Sequence, residues 1–203
     1  STLFPYTTLF RSVKFYVIQF TDEPNYSPHS TDNKRHYQDI LCADDSDGYY
    51  SSAYGISVWQ AGECIAEKLL LGSGGATGIH TYSAIADKNG VHICCGDSVF
   101  SLSLPQLDCQ WITKADLATC FQIYPYQDDY IVHGELFITR LNPQGKRQWQ
   151  YGGRDIFVTL DARYPDFSME KDGILLTDFS LNQYKISYDG NTLWEQENTN
   201  NKI

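Results

Sequence analysis

The sequence predicts an all-β protein built from about four repeats of short antiparallel strands. Three observations support this fold class. Tryptophan recurs at positions 111, 149 and 194, at spacings of 38 and 45 residues. Each of these tryptophans closes a segment in which apolar, strand-like runs alternate with turn residues. No stretch of the 203-residue chain shows the hydrophobic period of an amphipathic helix.

The most complete repeat is Asp128–Trp149. It contains two apolar strand-like runs, then turn residues at Asn142–Gly145, and then a short closing strand. Two further segments follow the same order, Asn89–Trp111 and Asp172–Trp194. The second of these contains Asp189-Gly190, a dipeptide typical of a tight β-hairpin.

A fainter first copy is predicted at Ile56–Glu63, where Gly62 corresponds to Gly145 and Gly190 as the turn glycine before the last strand. A period of about 40 to 45 residues with four short strands per unit is typical of a propeller blade. The chain is therefore predicted to form about four propeller-like blades, in a closed small ring or an incomplete propeller. In a closed ring, Lys14–Phe20 is expected to complete the last blade and cover its exposed strand edge.

The repeat endings, in which a turn glycine stands four residues before a tryptophan, resemble those of quinoprotein-like and WD40-like β-propellers over about Ile56–Glu195. Longer runs are similar to a family of small bacterial cytosolic proteins, over about Val13–Trp194: GGATGIH, CCGDSVFSLSLPQL, ADLATCF, DDYIVHGELFITRL and GRDIF. The resemblance implies a propeller-like fold and a cytoplasmic location. It implies no established activity.

The first twelve residues are interpreted as non-native. Thr2–Ser12 matches, codon by codon, the translation of a common sequencing adapter, so residues 1–12 are excluded from the fold prediction. Residues 13–203 are predicted to form a single domain, with Val13 as an alternative start or with the true N-terminus missing. With that start, Val13–Phe20 is too short and too polar for a signal peptide, and no run approaches the ~18 apolar residues of a membrane span. We expect a cytoplasmic, bacterial protein.

Composition narrows the function classes. The aromatic fraction is 14%, with 15 tyrosines, which favours strands. The net charge of -10 argues against a nucleic-acid surface, for which a basic stripe is expected. The six cysteines permit disulfides, but burial as reduced thiols in a cytosolic protein is the favoured interpretation.

Three segments before the first clear repeat need separate interpretation. Asp22–Asp47 is polar and turn-rich, and it is predicted to be a long loop. Gly55–Leu71 is predicted to be a hairpin about Ala61-Gly62, with a helical turn at Glu67–Leu71 as the alternative. Gly72–His80 is rich in glycine, but no lysine and no predicted helix follow it. Its glycines are therefore expected to permit tight passage of the backbone between blades rather than to bind phosphate.

Ligands of a propeller bind where the loops entering the innermost strands converge, as the resemblance implies. The innermost strands are predicted at Ser83–Ala86, Phe121–Tyr124 and Phe167–Glu170. The polar groups of the connecting segments are the candidate ligand-binding residues: His80, Asp116, Arg154 and Asp155. The alternative is a structural role, in which the aspartates cap turns and Arg154 forms an ion pair.

His133 and Glu135 are secondary candidates, because their spacing places both side chains on one face of a strand. In the repeat alignment His133 corresponds to Cys94 and Thr177, so a ring of soft ligands for zinc is an alternative. The chain lacks a C-x-x-C pair, and a buried histidine bonded to Glu135 or to the backbone is favoured. No cofactor and no metal are predicted.

No catalytic residue is predicted, because the chain contains no G-x-S-x-G and no recognisable cysteine-nucleophile signature. Asp116 with Asp155 is the one carboxylate pair worth testing for hydrolysis. We expect a non-enzymatic interaction module with a protein partner, possible forms being a scaffold or an immunity-like inhibitor of a basic toxin. The alternative is a small-ligand-binding or hydrolytic protein with a site at the channel mouth. No nucleic acid and no membrane are expected as partners.

Overall fold

The computed structural model describes residues 8–13, 15–28, 30–43 and 49–199, with residues 8–13 described by their backbone alone. These residues form 17 β-strands in four small sheets, and no α-helix occurs among them. The all-β class predicted from the sequence is confirmed. Across the described ranges, no helix has the length and apolar character needed to cross a lipid bilayer.

Three of the sheets are four-stranded antiparallel meanders, in which each strand pairs with the next along the chain. Blade 2 consists of β6 Ala84–Asp87, β7 Gly90–Cys95, β8 Ser98–Leu102 and β9 Cys109–Lys114. Blade 3 consists of β10 Cys120–Tyr126, β11 Asp129–Gly134, β12 Phe137–Leu141 and β13 Arg147–Gly152. Blade 4 consists of β14 Phe167–Glu170, β15 Gly173–Thr177, β16 Gln183–Ile186 and β17 Thr192–Gln196. The three clear sequence repeats are therefore three blades.

Blade 1 has five strands in the order β1-β2-β4-β5-β3. Its strands are β1 Thr8–Val13, β2 Tyr16–Asp22, β3 Ile40–Cys42, β4 Ser52–Gln60 and β5 Glu63–Gly72. Strand β2 pairs antiparallel with β4. The expectation that Lys14–Phe20 completes the last blade is therefore wrong, because a neighbouring partner strand lies much closer in sequence. Strand β1 pairs with β2, and the adapter origin of Thr2–Ser12 stays a prediction.

The predicted hairpin of blade 1 is confirmed. Ala61 and Gly62, both with positive φ, form the two-residue turn between β4 and β5. The helical alternative at Glu67–Leu71 is wrong, because these residues continue β5. Trp59 lies before this turn, whereas the tryptophans of the other blades lie after theirs, so Ala66 takes their place in blade 1.

The predicted long loop covers one face of blade 1. Its described parts include the short strand β3 and pack Tyr26 and Tyr37 against Leu69 and Leu71; together with residues 49–50, which follow the predicted loop, they comprise residues 23–28, 30–43 and 49–50. The Tyr37 hydroxyl donates a hydrogen bond to Glu23 (2.8 Å). We call this region the covering segment.

Apolar clusters join consecutive blades. One cluster joins blade 1 to blade 2, a second joins blade 2 to blade 3, and a third joins blade 3 to blade 4. No apolar cluster formed by the described residues joins blade 4 to blade 1. The four blades form an open arc, so the structure is that of an incomplete propeller. Because alternate residues of a strand point to opposite faces, each inner blade buries both faces.

The glycine-rich connection from blade 1 to blade 2 runs close to another loop. A Cβ added at Gly74 would lie 2.2 Å from the Ala118 carbonyl oxygen, and one added at Gly75 would lie 2.0 Å from Thr119 Oγ1. Turn residues and then strand β6 follow this connection, not a helix. This geometry supports the predicted role of these glycines in tight backbone passage.

Candidate functional site

The candidate ligand-binding residues lie in the joints between blades, where a connection leaves the outermost strand of one blade and enters the innermost strand of the next. We call this side of the arc the connection face. It is defined by the three connections, residues 73–83, 115–119 and 153–166. The opposite side contains the hairpin turns that end at Gly62, Gly145 and Gly190.

Asp116 is buried and accepts hydrogen bonds from three backbone amides. Its Oδ1 accepts from the Ala118 N–H (2.7 Å), and its Oδ2 accepts from the Leu136 (3.0 Å) and Phe137 (2.8 Å) N–H groups. Burial raises the pKa of Asp116, and these backbone bonds oppose that rise because they stabilise the carboxylate. The side chain thus holds the turn of blade 3 against the connection from blade 2.

Asp155 has a similar role at the next joint. Its Oδ1 accepts from the Ile156 N–H (2.9 Å), and its Oδ2 accepts from the Ser180 hydroxyl (2.7 Å) of blade 4. Arg154 points elsewhere and forms ion pairs with Glu195 (3.8 Å) and Glu197 (3.1 Å). Asp116 caps a turn through an Asx hydrogen bond, as the structural alternative predicted. Asp155 instead accepts from the adjacent Ile156 N–H and from Ser180, and Arg154 pairs with glutamates rather than with either aspartate.

His133 is buried between blades 3 and 4. Its Nε2–H donates to the Phe157 carbonyl (3.0 Å), and its Nδ1 lies 3.1 Å from the Gln122 carboxamide oxygen. Its ring stacks on Phe167, with ring centroids 4.9 Å apart. Burial lowers the pKa of His133, and a charge on His80 would lower it further. The expectation of a buried histidine bonded to the backbone is confirmed, whereas Glu135 contributes its backbone N–H and carbonyl to the joint.

His80 is half-buried in the first connection. Its Nδ1 accepts from the Tyr82 N–H (3.3 Å), and burial lowers its pKa. The ring also bonds to the backbone of Phe121, whose own ring lies 5.5 Å from that of His133. The structure therefore brings His80 and His133 into one neighbourhood. It binds Asp116, Asp155 and Arg154 into separate local contacts, and ligand contact by these residues stays a prediction.

A polar network between blades 2 and 3 was missed by the sequence analysis. The Tyr130 hydroxyl donates to Asp87 (2.9 Å), accepts from Asn89 (3.0 Å) and lies 2.9 Å from His92 Nε2. Burial raises the pKa of Tyr130 to about 12, so the phenol stays protonated at neutral pH. The network therefore lacks the features of an activated nucleophile. Its members come from two different repeats, so no local sequence pattern brings them together. Only the turn sequence Asp87–Asn89 is recognisable in the sequence, as a turn.

A second missed feature is apolar. Four large side chains are exposed on the connection face: Tyr82 49%, Leu117 66%, Leu160 87% and Phe179 50%. Tyr82, Leu117 and Leu160 come from the three connections, and the Phe179 N–H bonds to the Ile156 carbonyl of the third connection. A cleft of about 400 Å³ beside Leu117 is also lined by Asp116, Phe137, Lys114 and Arg147. We call Tyr82, Leu117, Leu160 and Phe179 the apolar set.

The described residues contain no cluster of three or more histidine, cysteine, aspartate or glutamate side chains arranged to hold a metal ion. All six cysteines are free thiols, and Cys94, Cys95 and Cys120 are buried. Burial raises the pKa of these three thiols, which disfavours the reactive thiolate. The favoured interpretation of the cysteines as buried thiols fits these three residues, whereas Cys64 and Cys109 are exposed.

No protein-family model and no curated protein matches the chain. Among solved structures, the chain is similar to BamB from Moraxella catarrhalis, with 15% sequence identity and a TM-score of 0.47. The match covers 80% of this chain and 50% of the BamB chain, so the chain spans about half the length of that protein. The assignment of the fold rests on the four sheets and their joints.

Proposed function

We propose that this protein is a non-enzymatic interaction module that binds a protein partner through the connection face. The observation that supports this proposal is a contrast within the second and third connections. Asp116 and Asp155 are bonded within the scaffold, whereas their neighbours Leu117 and Leu160 are presented to solvent. Exposed apolar side chains gathered on loops above a rigid scaffold are typical of protein-binding surfaces.

Charge adds a second property of the partner. The chain has a net charge of -10, so long-range attraction favours a partner with a basic surface. Lys114 and Arg147 line the cleft beside Leu117, so the cleft itself is not acidic. The partner is therefore inferred to place apolar groups on the connection face and basic groups around it. Immunity-like inhibition of a basic toxin is a narrower form of this proposal, supported by small size and acidity.

The proposal is tested by capture and cross-linking of partners from a native lysate, with quantitative mass spectrometry. The test variant is Leu117→Ser/Leu160→Ser/Phe179→Ser. The control variant, Ile40→Ser/Tyr49→Ser/Ile65→Ser, changes three exposed apolar residues of blade 1 and the covering segment. We expect one or more proteins to be captured by the wild type and the control and lost with the test variant. Equal capture by all three chains would contradict the proposed surface.

The alternative is a small-ligand or hydrolytic site on the same face. Its support is the proximity of His80 and His133, two half-buried or buried imidazoles beside Phe121. A thermal-shift screen with metals, nucleotides, sugars and small acids tests it, because a ligand that binds the folded state raises the melting temperature. A shift that is lost in His80→Gln and retained in Leu117→Ser/Leu160→Ser/Phe179→Ser would favour this alternative over protein binding.

A further inference from the structure

The joints between blades repeat one contact, and blade 4 repeats its donor without an acceptor among the described residues. Trp111 of blade 2 donates its indole N–H to the Pro143 carbonyl of blade 3 (3.0 Å). Trp149 of blade 3 donates in the same way to the Tyr188 carbonyl of blade 4 (3.0 Å). In both cases the acceptor lies two residues before a turn glycine.

The glycine in each acceptor turn is required by the indole. A Cβ added at Gly145 would lie 2.4 Å from the Trp111 ring, and one added at Gly190 would lie 2.7 Å from the Trp149 ring. Both glycines also have positive φ. A tryptophan over a turn glycine is thus the joint contact at the turn side of the arc.

Trp194 holds the same register position in blade 4. It pairs with Lys185, as Trp149 pairs with Arg140 and Trp111 with Ser101, each after a bulge in the outermost strand. Residues at equivalent register positions share the same face of their blades. Because Trp149 faces the next blade, Trp194 points away from blade 3. Its side chain is 43% exposed, and Leu193 at the adjoining bulge is 52% exposed. The donor half of a joint therefore faces solvent.

The acceptor half is open at the other end of the arc. Gly62 stands four residues before Ala66, as Gly145 and Gly190 stand four residues before Trp149 and Trp194. Gly62 has a φ of +88°, and none of the described residues lies within 4 Å of a Cβ added there. Residues 60–65 of this hairpin are all exposed. Unlike Gly145 and Gly190, the turn glycine of blade 1 has no aromatic ring over it from the part of the chain that the structure describes.

The remaining part of the end face differs between blade 1 and blade 4. On blade 1 the covering segment lies over Leu69 and Leu71, away from the hairpin tip. On blade 4 a cleft of about 400 Å³ is lined by Gln183 and Gln196 together with Arg163 and Tyr164. Gln183 and Gln196 oppose each other and share the face that points away from blade 3. The end face of blade 4 therefore has an exposed apolar region at Leu193 and Trp194 and a polar recess at Gln183 and Gln196.

We propose that two copies of this chain associate head to tail, with Trp194 of each copy seated over the Gly62 turn of the other. Unlike ends of one arc form a heterologous contact, and two such contacts close a ring with two-fold symmetry. The interface would continue the blade-to-blade packing already present at the internal joints. The contact between Trp194 and the Gly62 turn lies on the turn side of the arc, opposite the connection face, so it stands independently of the proposed partner surface.

Sedimentation velocity of the full chain across a concentration series tests the proposal. The wild type is expected to form a species of twice the 23.1 kDa chain mass. Trp194→Ala removes the donor, and Gly62→Asn adds a side chain that tolerates positive φ but occupies the indole position. Each variant is expected to weaken self-association by at least about tenfold, a change of about 1.4 kcal/mol.

Mixing the two variants distinguishes this arrangement from others. The intact Gly62 turn of the Trp194→Ala chain can receive Trp194 of the Gly62→Asn chain, so the mixture is expected to regain a dimer with one interface. A symmetric contact between two blades 4 would be lost in Trp194→Ala, retained in Gly62→Asn and not regained on mixing. That outcome, or a wild type that is monomeric at every concentration, would overturn the proposal. Far-ultraviolet circular dichroism of each variant checks that the blades are folded.

Discussion

The face of blade 3 that meets blade 4 and the free face of blade 4 have the same register but different side chains. The row on blade 3 runs across four strands through Tyr124, Ile131, Arg140 and Trp149. The corresponding row on blade 4 is Ser168, Leu175, Lys185 and Trp194. One position changes from an aromatic residue to a small polar one, Tyr124 to Ser168, whereas the aliphatic, cationic and tryptophan positions keep their residue class.

The charged residue of each row shows what this difference means. Arg140 reaches across the joint, donating to Asp129 (2.6 Å) on its own blade and to the Tyr188 carbonyl (2.9 Å) on the next. Lys185 instead bonds to Glu170 and Asp172 within blade 4. The planar guanidinium of Arg140 bonds to groups of two blades, whereas the ammonium of Lys185 bonds only to carboxylates of its own blade. Whether a blade face packs against a neighbouring blade therefore depends on its side chains and not on its strand register alone.

The largest expected effect separates the two tryptophans. Trp149→Ala is expected to lower the free energy of unfolding by about 3 kcal/mol, because it empties a packed joint. Trp194→Ala is expected to change it by less than about 0.5 kcal/mol at concentrations where the chain is monomeric. Urea unfolding of both variants measures the difference. Equal costs would show that the exposed face of blade 4 packs within the monomer.

The turn glycines provide the next comparison. Gly190→Ala and Gly62→Ala both place a Cβ at positive φ, which costs about 1 to 2 kcal/mol. Only Gly190→Ala also forces a Cβ against Trp149, so it is expected to cost about 2 kcal/mol more. The same unfolding measurement applies. If the two substitutions cost the same, the ring over Gly190 is not packed as tightly as the structure indicates.

His133, on the face of blade 3 that meets blade 4, and Thr177, on the free face of blade 4, hold equivalent register positions. The histidine makes the free energy of unfolding depend on pH. Burial lowers the pKa of His133 below its ordinary 6.5, so the unfolded chain binds a proton more readily than the folded chain. Stability is thus retained above about pH 6.5 and falls as the pH decreases below it, by about 1 kcal/mol per unit for this group. Burial also lowers the pKa of His80 and of His92, which add to this loss.

The His133→Gln variant isolates the contribution of that residue. Its amide can still donate to the Phe157 carbonyl, but it does not titrate. Unfolding midpoints measured on either side of pH 6.5 are expected to differ less in this variant than in the wild type. An unchanged difference would mean that His133 is solvated or charged in the folded state.

The sequence predicted local features better than it predicted partners. The hairpins at Gly62, Gly145 and Gly190 and the equivalence of His133 with Cys94 and Thr177 follow from turn chemistry and strand period, which are local. The pairing of β2 with β4 was mispredicted, because a short alternating strand does not specify its neighbour. The alignment of Gly62 with Gly145 and Gly190 is confirmed, although Trp59 lies before its turn and the other tryptophans lie after theirs.

The candidate site shows the same limit. The segments that enter the innermost strands were correctly located, and Asp116 and Asp155 lie there. Their partners, the amides of Leu136 and Phe137 and the hydroxyl of Ser180, lie 20 to 25 residues away, so no local pattern predicts them. Exposure of Leu117 and Leu160 was equally unpredictable, because a leucine in a loop is buried or exposed according to the tertiary fold.

The smallest expected effect comes from substituting two buried threonines. The expected change in the free energy of unfolding has opposite signs at the two positions. Thr177 on the free side of blade 4 is fully buried, and its hydroxyl has no hydrogen-bond partner among the described residues. Thr139 in blade 3 is equally buried and donates to the Ala115 carbonyl (2.7 Å). Replacing a hydroxyl by a methyl group of similar size removes a desolvated polar group in the first case and breaks a hydrogen bond in the second.

Thr177→Val is therefore expected to raise the free energy of unfolding by up to about 1 kcal/mol, and Thr139→Val to lower it by about 1 to 2 kcal/mol. Urea unfolding at one pH measures both variants against the wild type. If Thr177→Val destabilises the protein, the Thr177 hydroxyl has a hydrogen-bond partner in solution that lies outside the described residues.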